Sequence, residues 1–165
     1  MTTTFATCDF CDTHKTTSDD SFRVLPPVFH DYGLRHQFSG QVVTVKCFED
    51  NTPVKELLAT PGNGRVLVVD GGGSLRRALV GGLIGASAAK NGWSGVVVDG
   101  CVRDKTELAE CDVGIRALAL FPLPTDRKFP GERDLPVKIQ GVWVRPGDWL
   151  YADEDGIVVS DRPLT

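Results

Sequence analysis

The sequence predicts a mixed α/β fold built around one βαβ unit, and three observations lead to this prediction. Two short aliphatic runs, Val66 to Val69 and Val96 to Val98, have the composition of buried parallel strands. The segment from Ser74 to Trp93 between them has a helical pattern interrupted by glycines and is long enough for a crossover helix. The C-terminal part contains short β-type runs separated by turn residues, which predicts an antiparallel β section.

The length and charge of the chain limit the classes of function. A chain of 165 residues fits a single domain, 1–165. It has 18 Lys and Arg against 22 Asp and Glu, interspersed, for a net charge of −4. Because nucleic-acid binding usually requires a basic face, nucleic acid is not an expected partner. The sequence has neither an apolar run long enough for a membrane span nor a signal-peptide pattern, so we expect a cytoplasmic protein without a membrane partner.

The five cysteines are an odd number and are scattered, which favours reduced thiols over a disulfide framework. Cys8, Cys11 and His14 have a spacing that suggests zinc, but no second ligand pair follows. A short helix with partly buried thiols is therefore the favoured interpretation of this segment.

Before the central unit, the pattern predicts the order helix, loop, strand, helix. The first helix covers Thr7 to His14, with Thr7 as its N-cap, and a loop containing Pro26-Pro27 follows. The strand lies within Gln41 to Asp50, and Pro53 begins the second helix.

After the central unit, the pattern predicts one or two helical turns, a strand, a surface loop and then short β runs. The helical turns cover Lys105 to Glu110, the strand Ala117 to Phe121 and the loop Thr125 to Asp134. The β runs are Val137 to Ile139, Val142 to Val144, Trp149 to Ala152 and Ile157 to Val159. The carboxylates of residues 153–155 precede a glycine and an apolar strand, which favours a hairpin turn.

Both strands of the βαβ unit are predicted to end in Asp-Gly, at Asp70-Gly71 and Asp99-Gly100. The glycine-rich loops that follow would then lie at the carboxyl edge of one sheet, where open α/β folds bind ligands. Function is therefore sought at this edge.

A cluster of glycines at Gly81, Gly82 and Gly85 is the first candidate feature there. Each glycine would cost about 1 kcal/mol inside a helix. If a helix instead begins here, the N–H groups of Gly81, Gly82, Leu83 and Ile84 could bind a carboxylate or phosphate. The alternative is close helix packing or a subunit contact that leaves no room for a Cβ. The spacing matches neither a dinucleotide fingerprint nor a P-loop.

The Arg103-Asp104 pair is the second candidate. A single Asp suits Mg²⁺, which keeps several waters, and an adjacent Arg can hold a carboxylate or a developing enolate oxygen. A structural alternative is a capping box, with Asp104 as N-cap and Glu107 at N3. Lys46 and Lys90 could in principle form a Schiff base, but neither lies in an informative context.

Four blocks of this sequence closely resemble one family: VTVKCFEDN, GRVLVVDGGGSLRRALVG, NGWSGVVVDGCVRD and RPGDWLYADEDGIVV. The family contains the regulator of ribonuclease E activity A and the 4-hydroxy-4-methyl-2-oxoglutarate aldolases. The resemblance extends from about Thr7 to Leu164. It implies a compact α/β/β sandwich of the swivelling phosphohistidine-domain type, assembled as a homotrimer or as paired trimers with sites at the subunit clefts.

The resemblance also implies an activity. The family's aldolases use an Arg-Asp pair that matches Arg103 and Asp104, with Asp104 holding Mg²⁺, or alternatively Mn²⁺ or Co²⁺, through waters. The implied reaction cleaves 4-hydroxy-4-methyl-2-oxoglutarate or 4-carboxy-4-hydroxy-2-oxoadipate to pyruvate, with oxaloacetate decarboxylation as a side activity. The regulators tend to lose this Asp, so its presence favours a lyase over a non-catalytic partner of ribonuclease E.

The sequence departs from the family pattern at two positions. The aldolases have another Asp twenty-one positions before the Arg, which is Gly82 here, and a common Glu is replaced by Ala86. The base for the 4-hydroxyl group would then be a metal-bound water or hydroxide, or a carboxylate from a neighbouring subunit. Asp99 could compensate if its side chain faces the same cleft.

Overall fold

The computed structural model describes residues 4–165. Its helices are α1 (Thr7–His14), α2 (Thr52–Leu58), α3 (Gly82–Lys90) and α4 (Lys105–Leu108). Its strands are β1 (Phe22–Val24), β2 (His30–Asp31), β3 (Phe38–Lys46), β4 (Val66–Val80), β5 (Gly95–Val102), β6 (Gly114–Leu120), β7 (Glu132–Arg133), β8 (Val137–Ile139), β9 (Val142–Val144), β10 (Trp149–Ala152) and β11 (Ile157–Ser160). None of the helices within the described residues is long and apolar enough to cross a membrane.

The strands form a nine-stranded mixed sheet and a separate hairpin. The sheet order is β1-β11-β10-β3-β4-β5-β6-β2, with β7 also paired to β3, and β8 pairs with β9 in the hairpin. Strands β3, β4, β5 and β6 are mutually parallel, whereas the outer pairings are antiparallel. The predicted βαβ unit is confirmed, because β4 and β5 are parallel neighbours connected through α3.

Apolar side chains fill both faces of the central sheet. Leu67 and Val69 of β4 belong to the cluster that includes residues of helices α2 to α4. Val66 and Val68 belong to the second cluster, which includes residues of the β8–β9 hairpin. Since successive side chains of a strand point to opposite faces, covering both faces explains why this run is continuously apolar.

Strand β4 is much longer than the sequence predicts. Asp70 and Asp99 do not end their strands but lie inside them and are register partners. The helical prediction for residues 74–80 was therefore wrong. Gly72 and Gly73 have φ values of 67° and 69°, which allow the chain to bulge out of the ladder and then pair with β5 again, up to Val80.

Most other predicted elements are confirmed, with shifted ends. The predicted helices before and after the central unit correspond to α1, α2 and α4, and the four C-terminal β runs correspond to β8 to β11. The predicted surface loop after β6 includes the short strand β7. Thr7 is not the N-cap of α1, because Ala6 holds that position and the Thr7 side chain donates a 2.7 Å hydrogen bond to Asp153.

Candidate active site

The candidate residues meet where β4 and β5 end. The N–H of Arg103, just after β5, donates a 2.9 Å hydrogen bond to the carbonyl of Val80, the last residue of β4. This contact places the glycine-rich start of α3 beside the Arg103-Asp104 pair. The glycine cluster and the Arg103-Asp104 pair thus form one site. It lies beyond Asp70 and Asp99, where the sequence predicted the strands to end, because β4 and β5 continue past a bulge.

The glycine cluster contains a helix start. Helix α3 begins at Gly82, with Gly81 as its N-cap. The first turn of a helix leaves its N–H groups without intrahelical partners, so those of Leu83 and Ile84 remain available to a ligand. Gly85 serves the alternative role of close packing, since a Cβ there would lie 2.8 Å from the Leu108 side chain.

Asp104 is the N-cap residue of α4, as predicted, but it does not form the predicted capping box. Its φ of 63° and ψ of 52° are left-handed, and its side chain forms no capping hydrogen bond with α4. Instead, Oδ2 accepts a 2.9 Å hydrogen bond from the N–H of Gly82. The carboxylate is therefore held at the start of α3, where the helix dipole favours a negative charge. A non-glycine residue in this conformation is uncommon and often marks a functional site.

The Glu107 side chain lies in the space beside Gly82. A Cβ built on Gly82 would overlap the Glu107 carboxylate, and a Cβ on Gly81 would lie 2.9 Å from Oδ2 of Asp104. Two carboxylates, those of Asp104 and Glu107, thus lie against the backbone at the start of α3. The space that a side chain at position 82 would need is occupied by Glu107, so Glu107 supplies a carboxylate close to that position.

Arg103 and Asp104 border two depressions in the surface. Arg103 is half-buried, and its Nη1 donates a 3.3 Å hydrogen bond to the carbonyl of Pro122. The larger cleft has a volume of about 310 Å³, and the smaller depression, next to Phe121, about 280 Å³. Asp104 is exposed, and its Oδ1 accepts no hydrogen bond from within residues 4–165. A carboxylate oxygen is therefore available at the larger cleft.

A second wall of the larger cleft consists of residues that the sequence analysis did not identify. Its polar lining residues there are Asn51, Lys55, Thr125 and Arg127. They come from the start of α2 and from the loop after β6, far apart in the sequence, so no local spacing could reveal them. The loop is tied to α2 because Oγ1 of Thr125 donates a 2.9 Å hydrogen bond to Oδ1 of Asn51.

Asp99 is not part of this cleft. Its side chain is buried and accepts a 2.8 Å hydrogen bond from Nε2 of Gln140, which follows strand β8. Burial and the nearby Asp70 carboxylate raise the pKa of Asp99, although the Gln140 hydrogen bond opposes this shift. Asp99 therefore faces the hairpin side of the sheet and does not compensate for Gly82.

The remaining sequence candidates lie elsewhere. Within residues 4–165, no group of three or more His, Cys, Asp or Glu side chains is arranged to hold a metal ion. Cys8, Cys11 and His14 therefore do not form such a group. Asp153 forms the predicted turn, because its Oδ1 accepts hydrogen bonds from the N–H groups of Asp155 and Gly156 at 3.0 and 3.3 Å. Lys46 and Lys90 are exposed and do not line the larger cleft.

Comparisons with known proteins agree on one family. The family model described as RraA-like, Aldolase/RraA, matches residues 7–159. A protein of Albidiferax ferrireducens, provisionally named 4-hydroxy-4-methyl-2-oxoglutarate aldolase, is 62% identical over 97% of both chains. A protein of Burkholderia multivorans with the same provisional name is 54% identical over 98% of this chain and 99% of its own. The solved structure titled RNA-processing inhibitor RraA from Thermus thermophilis is 44% identical, with a TM-score of 0.91, and covers 99% of this chain and 96% of its own.

Proposed function

Because this chain belongs to the RraA-like aldolase family, we propose that it is a divalent-metal-dependent aldolase of small 2-oxo diacids. The proposed substrates are 4-hydroxy-4-methyl-2-oxoglutarate and 4-carboxy-4-hydroxy-2-oxoadipate, each cleaved to pyruvate, with oxaloacetate decarboxylation as a second activity. The observation that supports this proposal is the Arg103-Asp104 pair, held at the mouth of a cleft by the start of α3.

The residues present fit a divalent cation. Asp104 has one oxygen fixed by the Gly82 N–H, and its other oxygen is available at the cleft. One carboxylate with several waters is a common way for proteins to bind Mg²⁺, and Mn²⁺ or Co²⁺ could take the same place. When bound, the cation supplies Lewis-acid polarisation of the 2-oxo group.

The other roles belong to groups of this chain. The N–H groups of Leu83 and Ile84 bind the carboxylate next to the 2-oxo group, whereas the Gly82 N–H, expected from the sequence to share this role, is taken by Asp104. The Arg103 guanidinium donates a charge-assisted hydrogen bond to the 2-oxo oxygen, which becomes the enolate oxygen as the C–C bond breaks. Since negative charge develops on that oxygen during the reaction, the Arg103 contact is stronger in the transition state than in the bound substrate.

Large apolar side chains are exposed in the two depressions and in the chain segment after β6, which favours an oligomer. They are Leu83, Leu120, Leu123 and Phe129, with exposed fractions of 88%, 42%, 47% and 71%. Such exposure is typical of a surface covered by another subunit. We expect the family's homotrimer, alone or paired into a hexamer, and a solution mass near three or six times 17.9 kDa tests this.

The proposal is tested by pyruvate release from 4-hydroxy-4-methyl-2-oxoglutarate and from oxaloacetate, each with Mg²⁺ and with excess EDTA. We expect turnover of both substrates that disappears in EDTA. Decarboxylation needs no base for a hydroxyl group, so we expect it to be the faster reaction in a chain with Gly82. A slower decarboxylation than cleavage would contradict this account of Gly82.

A second candidate function is a non-catalytic regulator that binds ribonuclease E. It is favoured by the likeness to a protein titled RNA-processing inhibitor and by the absence of an Asp at position 82. This function predicts inhibition of ribonuclease E by stoichiometric amounts of the protein, together with no pyruvate release under any metal. It also predicts no rise in melting temperature with Mg²⁺ and pyruvate, because only a ligand that binds the folded state stabilises it.

A further inference from the structure

The second wall of the larger cleft carries two cations without an evident structural role. Lys55 projects from α2 and Arg127 from the loop after β6, and both line the larger cleft. The ion pairs found among residues 4–165 involve neither of them. An unpaired surface cation is common, but these two line the same cleft as Arg103 and Asp104, so an anion bound in the cleft can be reached by both.

We propose that Lys55 and Arg127 bind the distal carboxylate of the substrate and thereby select 2-oxo diacids over 2-oxo monoacids. This inference rests on the proposed function, in which the 2-oxo end lies at Arg103 and Asp104. A planar guanidinium can bind a carboxylate through two hydrogen bonds, and an ammonium adds a third donor direction. The pair would therefore be specificity-determining for the aldol substrates, whose distal carboxylate is retained when the C–C bond breaks.

The backbone of the second wall is held in place by several hydrogen bonds before a ligand arrives. Asp50, directly before Asn51, accepts hydrogen bonds at its Oδ2 from the N–H groups of Lys128 and Phe129 at 2.9 and 3.0 Å. Nδ2 of Asn51 donates a 3.1 Å hydrogen bond to the carbonyl of Leu79 in β4. The loop that contains Arg127 is thus fixed to both α2 and the central sheet. Such fixing lowers the entropic cost of binding.

The charge of the cleft fits a diacid better than a monoacid. The charged lining residues are the cations Lys55, Arg103 and Arg127 and the carboxylate Asp104. The carboxylate of a monoacid, bound at the start of α3, would leave Lys55 and Arg127 without a counter-ion. A diacid supplies the second negative charge at the far wall, and a cleft of about 310 Å³ has the size of a small-molecule site.

The experiment compares two ligands that differ only in the distal group, 2-oxoglutarate and 2-oxopentanoate. Their affinities are measured by titration calorimetry with Mg²⁺ for the unsubstituted protein, Lys55→Met, Arg127→Met and the double variant. We expect 2-oxoglutarate to bind about tenfold more tightly than 2-oxopentanoate, because a charge-assisted contact adds about 1.5 kcal/mol or more. We expect the double variant to bind both ligands equally, with its affinity for 2-oxopentanoate changed by less than about twofold.

Lys128→Met is the matched control, because Lys128 lies on the same loop but its side chain does not line the cleft. It should keep the full preference for the diacid. A preference that is absent from the unsubstituted protein, or that survives in the double variant, would overturn the inference. Failure of the proposed function has a different signature, in which the diacid preference and its loss are observed but oxaloacetate yields no pyruvate.

Discussion

At the residue scale, Glu107 places a carboxylate in the space that a side chain at position 82 would occupy. The family's aldolases have an Asp where this chain has Gly82, and the Glu107 carboxylate occupies the space such a side chain would need. Asp104 lies beside both, with its Oδ2 bound to the Gly82 N–H. We infer that an acidic side chain at position 82 would require the Glu107 side chain to move from its present position.

A double-mutant cycle of thermal unfolding tests this coupling. Gly82→Asp should lower the melting temperature by several degrees, because its side chain meets the Glu107 carboxylate and adds a like charge. Glu107→Ala should be nearly neutral, since Glu107 is exposed. In the double variant most of the lost melting temperature should be recovered, which corresponds to a coupling free energy between positions 82 and 107 of about 1 kcal/mol. If the two substitutions had strictly additive effects on the free energy of unfolding, the proposed contact between positions 82 and 107 would be contradicted.

At the element scale, the loop after β6 depends on Asp50. Burial alone would raise the pKa of this carboxyl group, but hydrogen bonds from Thr52, Lys128 and Phe129 outweigh it and lower the pKa. A carboxyl group whose folded-state pKa is lowered contributes stability above its unfolded pKa, near 3.9, and loses it as the pH falls through the folded value. Asp50 therefore ties the cleft wall to α2 at neutral pH.

Asp50→Asn should lower the free energy of unfolding by about 1–3 kcal/mol at pH 7. The charge-assisted hydrogen bonds become neutral ones, and the donors at one of the two oxygen positions would face an amide NH2 group that cannot accept. The difference from the unsubstituted protein should shrink as the pH falls below about 3.9. Trypsin should also cleave faster after Arg127 and Lys128, which the detached loop exposes. Glu132→Gln is the control, since Glu132 is exposed, lies in the same loop and takes part in none of the ion pairs among residues 4–165. A stability difference that does not vary with pH would contradict this role for the Asp50 charge.

The element scale also shows where sequence reasoning succeeds. The apolar runs of β4 and β5 and the turn residues between β8 and β11 are local signals, and both were interpreted correctly. Residues 74–80 were assigned wrongly because Leu, Arg and Ala favour helices, whereas pairing with β5 is a long-range interaction that no local pattern contains. The left-handed conformation of Asp104 was missed for a similar reason, since the capping-box spacing was present but the backbone did not adopt it.

At the scale of the whole molecule, the site has one wall that the sequence indicates and one that it does not. The start of α3 and the Arg103-Asp104 pair follow two adjacent parallel strands, so the fold class alone brings them together. Lys55 and Arg127 reach the cleft only through the packing of α2 and the loop after β6. The sequence therefore predicts the residues proposed to bind the reacting end of a substrate, whereas the residues proposed to bind its distal end are recognised only in the structure.

The central claim is that Asp104 holds the catalytic metal, and Asp104→Asn tests it most directly. Asparagine tolerates the left-handed conformation and can still accept the Gly82 hydrogen bond, so the fold should be unchanged while the charge is lost. Asp112→Asn is the matched control, since Asp112 is exposed, pairs with Arg35 and lies outside both clefts.

The measurement is pyruvate release from oxaloacetate in Mg²⁺ by the unsubstituted protein and these two variants. We predict turnover that falls at least about 100-fold in Asp104→Asn and is unchanged in Asp112→Asn. We also predict that EDTA abolishes turnover in every sample. Equal turnover in Asp104→Asn and the unsubstituted protein, or no turnover in any sample, would contradict the account.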